Sequence, residues 1–130
     1  MLSSILPVVL TLSVILLSVS AIQSSFALGD YDYISEWGEF GIMTPGQFSY
    51  PQFIAVDDDG NSYVTDWGNK RVQMFSSDGE FISTWGGSGY LDGQFRYPSG
   101  IAVHDDFVYV ADHDLNNIQK FSNNGTYVAQ

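Results

Sequence analysis

Three consecutive carboxylates and two histidines are the residues with the most evident capacity for chemistry, and their spacing limits what they can do. Three Asp residues followed by Gly60 and Asn61 occupy positions 57–61. A calcium loop of the EF-hand type needs oxygen ligands at alternate positions and Gly at the sixth, whereas Gly is the fourth residue here. The segment therefore predicts an acidic β-turn and no calcium site.

The histidines do not form a metal pair. His104 and His113 are nine residues apart, at opposite ends of a predicted strand pair, and this spacing does not suit zinc. His113, between Asp112 and Asp114, forms the one local cluster worth testing. There is no Cys, no Gly-x-Ser-x-Gly elbow and no Gly-Lys-Ser/Thr phosphate loop. We predict no catalytic residue, no metal ligand and no cofactor in this chain, and leave open a metal ion in a longer parent protein.

Three further residues suit structure or modification better than catalysis. Asp66 and Asp112 each end a predicted strand at equivalent places, and a carboxylate there can accept backbone N–H groups and hold the following loop. A catalytic group is needed once, so repetition favours a structural role. Asn124, followed by Gly125 and Thr126, fits the N-glycosylation acceptor pattern, although Asn-Gly is also the strongest hairpin-turn dipeptide.

The composition excludes several classes of protein. The chain has 130 residues, with 4 Lys+Arg against 15 Asp+Glu and a net charge of −11. Without Cys there is no disulfide scaffold, thiolate zinc site or cysteine nucleophile. So acidic a chain lacks the basic patch that binds a phosphate backbone, so we expect no nucleic-acid partner. Because 45% of the residues are apolar, the chain can bury a core and is not expected to be disordered.

The N-terminal segment reads as an export signal. Residues 1–29 contain no charged side chain, and the apolar run 5–19 leads into the small-x-small patterns Val19-Ser20-Ala21 and Ser25-Phe26-Ala27. We predict a signal peptide over residues 1–27, forming a hydrophobic helix and cleaved after one of those alanines. The alternative is an uncleaved membrane anchor. Both interpretations place the remainder, 28–130, outside the cytoplasm, secreted or at the cell surface, with no other membrane association.

An internal repeat decides the fold class. Residues 46–51 recur at 93–98 with an offset of 47, and the motif Tyr-Val-x-Asp at 63–66 recurs at 109–112 with an offset of 46. Each unit contains short alternating or β-branched segments separated by turn residues. In the first unit, strands are predicted at 53–56, 62–65, 71–75 and 80–85. Four short strands per unit with no helical period predict an all-β protein made of propeller blades.

The repeated pattern resembles the NHL-repeat family. It reads Gly-Gln-Phe, Pro, Ile-Ala-Val, Tyr-Val-x-Asp, [Val/Ile]-Gln-x-Phe and Gly in both units, over about 46–85 and 93–130. The second unit departs from the pattern, since Asn117 replaces Arg71 and Leu115 stands where Asn is expected. The resemblance implies a six-bladed propeller of four-stranded antiparallel blades, of which this chain would be an incomplete part.

The same resemblance implies how the missing part is supplied. Residues 33–37 match the last strand of each unit and would be the closing strand of an absent blade. The remaining blades are expected in cis, from a longer chain, or in trans, from another copy.

The loops expected to form a binding face are 66–70 and 112–116, together with the segments between blades. Its candidate contact residues are Trp67, Lys70, Arg71, Tyr90, Arg96 and His113. The residues expected to be structural because they repeat are Asp66, Asp112, Trp37, Trp85, Pro51 and Pro98. For Trp67, packing on the neighbouring blade is the alternative to a contact role.

Two function classes remain open. The first is an exported interaction module that binds a protein or glycan at the cell surface. The alternative is part of a propeller enzyme, a metal-dependent lyase or lactonase-like hydrolase, whose active site is completed by other blades.

Overall fold

The computed structural model describes residues 32–130, and the strands it contains account for the architecture. Residues 36–130 form one unit, while 32–35 belong to a separate N-terminal unit and carry no regular structure. Within 32–130 no helix is long and apolar enough to cross a membrane. The strands are β1 Glu39–Phe40, β2 Gln47–Phe48, β3 Pro51–Val56, β4 Ser62–Asp66, β5 Arg71–Phe75, β6 Phe81–Gly86, β7 Pro98–His104, β8 Phe107–Asp112, β9 Asn117–Ser122 and β10 Tyr127–Ala129.

The strands form two four-stranded antiparallel sheets of the propeller-blade type. Blade 1 has the order β3-β4-β5-β6 and blade 2 the order β7-β8-β9-β10. The repeat extends to irregularities, because the pairing shifts between Pro51 and Ile54 in blade 1 and between Pro98 and Ile101 in blade 2. The prediction of an all-β chain with four-stranded blades is confirmed for the described residues.

The core lies between the two blades and follows from strand alternation. Tyr63 and Val72 project from blade 1 and are fully buried against the apolar side chains of blade 2. Burying one such side chain stabilises the fold by about 1.5–3 kcal/mol. The other core members are Phe95, from the segment that precedes β7, and Val108, Val110 and Phe121 from blade 2. Thr65 adds a hydrogen bond across the interface, from its Oγ1 to the carbonyl of Ser99 at 2.9 Å.

The outward faces of the two blades repeat the chemistry of this interface but are uncovered among the described residues. Ile54 is 55% exposed, although its repeat counterpart Ile101 packs on the core. Ile118 is 60% exposed, although its counterpart Val72 is fully buried. The outward face of each blade therefore carries the same kind of apolar residues as the face that is buried between the two blades.

Neither of the two N-terminal predictions is tested by the described residues. The signal peptide, 1–27, lies outside the described residues. Residues 33–37 form no strand in the structure; the predicted closing strand would pair with another blade, so it stays a prediction. A short parallel pair, β1 with β2, was not expected and is supported by a hydrogen bond from Gln47 Nε2 to Glu39 Oε1 at 2.6 Å.

Candidate functional site

One end of the blade pair gathers the long loops. The loop after β4 meets the segment before β3 through a hydrogen bond from Gly68 N to the Ser49 carbonyl at 2.7 Å. The loop after β8 meets the segment before β7 in the same way, from His113 N to the Tyr97 carbonyl at 3.0 Å. We call this surface, made by residues 41–50, 66–70, 87–97 and 112–116, the loop face.

A buried carboxylate organises the loop face in blade 1. Asp66 is completely buried and accepts hydrogen bonds from Ser49 N at 2.9 Å, Asn69 Nδ2 at 2.7 Å and Arg71 Nε at 2.9 Å. Arg71 is itself only 4% exposed. Its remaining guanidinium nitrogens donate to the carbonyls of Met43, Thr44 and Gln47.

This geometry corrects the prediction for Arg71. We expected its guanidinium at the binding face, but the carboxylate and three carbonyls use it internally, so it holds the incoming loop and is not available to a ligand. Gln73 supports the same loop, since its Nε2 donates to the Gln47 carbonyl at 2.8 Å and its Oε1 accepts from Gly46 N at 2.9 Å.

Blade 2 holds its loop with a carboxylate but no cation. Asp112 accepts hydrogen bonds from the backbone N–H groups of Arg96, Tyr97, Asp114 and Leu115, at 2.7–3.1 Å. Asn117 stands where blade 1 has Arg71. Gln119 repeats the two loop contacts of Gln73: its Oε1 accepts from Gly93 N and its Nε2 donates to the Gln94 carbonyl. These contacts agree with structural roles for the two repeated Asp residues.

An aromatic ladder crosses the loop face from one blade to the other. Successive ring centroids lie 5.5 Å apart for Tyr50 and Trp67, 4.8 Å for Trp67 and Tyr97, and 5.4 Å for Tyr97 and His113. The ladder follows from the repeat, because each Tyr precedes the Pro that begins an inner strand and each other ring follows the buried Asp. Trp67 is half-buried against blade 2, so it packs on the neighbouring blade while keeping part of its surface free.

Sequence reasoning missed Tyr50 and Tyr97 as members of this surface. Tyr50 is 67% exposed and adopts a left-handed backbone, with φ of 55°. The signal that could have found both was a Tyr placed before Pro at the same position of each repeat.

Two of the basic residues lie over aromatic rings on the loop face. Lys70 Nζ is 4.6 Å from the centroid of the Trp67 ring, and the guanidinium of Arg96 is 4.9 Å from that of Tyr90. Burial and then the charge of Arg96 lower the pKa of Lys70, while Asp114 and Asp112 act in the opposite direction. The structure thus places Trp67, Lys70, Tyr90, Arg96 and His113 on one partly exposed face. The exposed carboxylates of Asp92 and Asp114 lie on the same face.

Comparison with known proteins identifies the repeats. The NHL repeat profile matches residues 48–75 and 95–121. The chain belongs to the NHL-repeat family. Drosophila melanogaster "Protein brain tumor" is 33% identical over 99 residues, covering 74% of this chain and 10% of that protein. Human "NHL repeat-containing protein 3" is 33% identical over 88 residues, covering 65% of this chain and 24% of that protein.

A third relative carries an enzyme name. Mouse "Peptidyl-glycine alpha-amidating monooxygenase" is 36% identical over 91 residues, covering 61% of this chain and 9% of that protein. The chain thus spans from 9% to 24% of the length of these three relatives.

The opposite end of the NHL blades carries the tight turns. Asp57 accepts hydrogen bonds from Asp59 N, Asn61 N, Asn61 Nδ2 and the Tyr63 hydroxyl, at 2.8–3.1 Å. The carboxylate therefore serves the turn itself, as predicted for this acidic segment. Within 32–130 no group of three or more His, Cys, Asp or Glu side chains is arranged to hold a metal ion.

The repeated tryptophans pack on the turn glycines of the NHL blades. A Cβ added to Gly125 of blade 2 would lie 2.6 Å from the Trp85 ring of blade 1, and one added to Gly79 would lie 3.1 Å from the Trp37 ring. Each Trp thus covers a turn glycine of the following sheet. The two prolines begin the inner strands, with Pro98 buried and Pro51 exposed.

Proposed function

We propose that this chain is part of an exported NHL-repeat β-propeller and that its loop face binds a protein partner. NHL-repeat domains commonly mediate protein interactions. The observation that carries the proposal for this chain is the ladder Tyr50–Trp67–Tyr97–His113, half-exposed at one end of a rigid pair of sheets. Function concentrates on loops that such a scaffold positions.

The chemistry of the ladder suits a protein contact. Tyr, Trp and Arg are enriched among the residues that dominate binding energy. The rings of Tyr and Trp bury a large apolar area with little loss of side-chain freedom. Lys70 and Arg96 add positive charge beside the rings, in a chain whose net charge is −11. A partner segment that combines apolar side chains with carboxylates would complement this surface.

Export and propeller closure complete the proposal. Export rests on the uncharged apolar segment before Asp30. Closure into a six-bladed ring is what the family implies, and the uncovered faces bearing Ile54 and Ile118 support further blades, supplied in cis or by another copy. Glycan stacking on the same rings is the finer alternative, and a propeller enzyme whose site other blades complete stays a prediction.

The test compares ligand capture by the full chain and by Trp67→Ala and Tyr50→Ala variants. Removing either ring is expected to weaken binding of a loop-face partner by about 30-fold, the equivalent of about 2 kcal/mol, measured as the Kd of the recovered protein. Asp58→Ala, an exposed change at the opposite end, is the matched control and should leave the Kd unchanged. A partner bound equally by all variants would contradict the proposal, and a ligand captured from a glycan array alone would replace protein by glycan.

A further inference from the structure

We propose that Asn124 is an acceptor for N-linked glycosylation, on the turn between β9 and β10. The sequence Asn124-Gly125-Thr126 is the one Asn-x-Ser/Thr triplet in the 130 residues. Asn124 and Thr126 are both exposed, so the acceptor and its hydroxyl partner are accessible without opening the sheet. The proposal rests on export, which the proposed function includes, but not on the loop face.

The side chains of this turn are arranged so that several hydrogen-bond donors point at the amide oxygen of Asn124. The Oδ1 of Asn124 accepts hydrogen bonds from Thr126 Oγ1 at 2.9 Å, Thr126 N at 3.2 Å and Ser122 Oγ at 2.6 Å. Donors directed at the amide oxygen draw electron density from the carboxamide, and the Nδ2 protons become more acidic as a result. The threonine hydroxyl that defines the acceptor pattern is one of these donors.

The chemical step is a glycosyl transfer to the amide nitrogen. Asn124 Nδ2 attacks the anomeric carbon of an oligosaccharide carried on a polyprenyl diphosphate. The new N–C bond forms as the bond from that carbon to the diphosphate oxygen breaks, and the diphosphate leaves with the electron pair. One Nδ2 proton passes to a base of the transferase. No oxidant or reductant is involved.

The position of the turn makes this modification compatible with binding. Asn123 N donates to the carbonyl of Asp106 at 2.8 Å, which places the turn beside the β7–β8 turn, at the end of the blades opposite the loop face. A glycan on Asn124 would extend from the tight turns and leave the aromatic ladder free.

Blade 1 supplies a matched internal control. The turn between β5 and β6 has the same framework: Gly79 N donates to the Ser76 carbonyl at 2.9 Å, as Gly125 N donates to the Ser122 carbonyl at 2.9 Å. Asp78 and Glu80 stand there in place of the Asn and the Thr. The double change D78N/E80T therefore writes the acceptor triplet into an equivalent turn.

The experiment translates the full chain in the presence of microsomes, whose dolichyl-diphosphate oligosaccharide is the donor. A cleavable secretory signal placed before Met1 ensures delivery, and a C-terminal extension with its own Asn-x-Thr acceptor marks every translocated molecule. Among marked molecules we expect two glycans, both removed by N-glycosidase. Asn124→Gln and Thr126→Ala should each carry one, while Asn123→Gln should still carry two.

Marked molecules that carry only the extension glycan would overturn the proposal. In a chain that also carries Thr126→Ala, D78N/E80T is expected to restore the second glycan. This variant shows whether the equivalent β5–β6 turn accepts a glycan when the triplet at Asn124 has been removed. Because delivery is supplied and the readout is a mobility shift, failure here would leave the proposed protein-binding function standing, and loss of partner binding would leave this result unchanged.

Discussion

At the scale of single residues, two carboxylates at equivalent positions hold their loops by different means. Asp66 forms an ion pair with the guanidinium of Arg71, and both groups are buried. Asp112 is almost as buried but is satisfied by backbone N–H groups alone. Removing one member of a buried ion pair leaves the other charge without compensation, which costs more than losing neutral donors.

We therefore predict unequal effects for the same substitution. Asp66→Asn should lower the free energy of unfolding by about 3–5 kcal/mol because Arg71 stays buried without its counter-charge. Asp112→Asn should lower it by about 1–3 kcal/mol. Urea unfolding of the full chain would measure both, with the exposed Asp58→Asn as the control. An equal or greater loss for Asp112→Asn would contradict the assigned roles.

Asp57 should make stability depend on acidity. Burial alone would raise the pKa of this carboxyl, but hydrogen bonds from Asn61, Tyr63 and the backbone of the turn outweigh burial and lower it. A lowered pKa in the folded state means that the ionised group contributes stability above pH of about 4. That contribution is lost as the pH falls through the lowered value.

Asp57→Asn should remove that contribution. At neutral pH we expect a loss of about 1 kcal/mol in the free energy of unfolding, shrinking as the pH falls below about 4. Unfolding curves of this variant and of the parent chain at a series of pH values would measure it. A difference from the parent chain that stays constant with pH would refute this origin.

The sequence predicted some of these residue roles and missed others for clear reasons. Repetition favoured structural roles for Asp66 and Asp112, and the hydrogen bonds that both carboxylates accept are consistent with those roles. Arg71 was misjudged because a cation beside a loop does not show, in one dimension, which carbonyls surround it. Tyr50 and Tyr97 were missed because the ladder forms between blades, and contacts between separate repeats depend on how the sheets pack.

At the scale of elements, the tight turns depend on glycines that also meet a tryptophan. Gly79 and Gly125 both have left-handed backbones, with φ of 82° and 87°. Side chains there cost about 1–2 kcal/mol from the backbone alone. The rings above them differ, because Trp37 is 42% exposed whereas Trp85 is packed against Tyr63 and Phe121.

This difference predicts a ranking. Gly79→Ala should cost about 1–2 kcal/mol, since the exposed Trp37 ring can move aside. Gly125→Ala should cost about 1–3 kcal/mol more, because its Cβ overpacks against the fixed Trp85 ring. Thermal and urea unfolding would measure both variants. If the two alanines proved equally costly, the Trp85 contact would not be the cause.

The strands themselves were largely predictable from alternation and turn residues. Each predicted strand of the first unit is found within two residues of its expected ends. The β1–β2 pair was not predictable, because each strand has only two residues and pairs through contacts formed after the blade exists. Residues 33–37 show the converse, since a strand-like sequence gains its hydrogen bonds only where a sheet edge receives it.

At the scale of the whole molecule, identical sequence positions lie in different environments. Ile101 packs at the blade interface, while Ile54 is exposed on the outward face of blade 1. The difference arises from the neighbouring blade and not from the repeat itself.

The unfolding free energies lost on changing Ile54 and Ile101 to Ala therefore show whether each of these blade faces is covered. For the chain alone, Ile101→Ala should cost about 2–3 kcal/mol of unfolding free energy and Ile54→Ala less than about 0.5 kcal/mol. In a parent protein or assembly that places a further blade on blade 1, both should cost about 2–3 kcal/mol. Equal losses in the isolated chain at low protein concentration would contradict the exposed face described here.

The loop contacts made by Gln73 and Gln119 also bear on how the number of blades can increase in evolution. In each blade the amide holds the loop that enters that same blade, at Gly46 and Gln47 or at Gly93 and Gln94. A gene duplication that copies one loop together with its sheet thus also copies the glutamine whose hydrogen bonds hold that loop. New units can be inherited ready to fold, and divergence such as the replacement of Arg by Asn117 can follow one blade at a time.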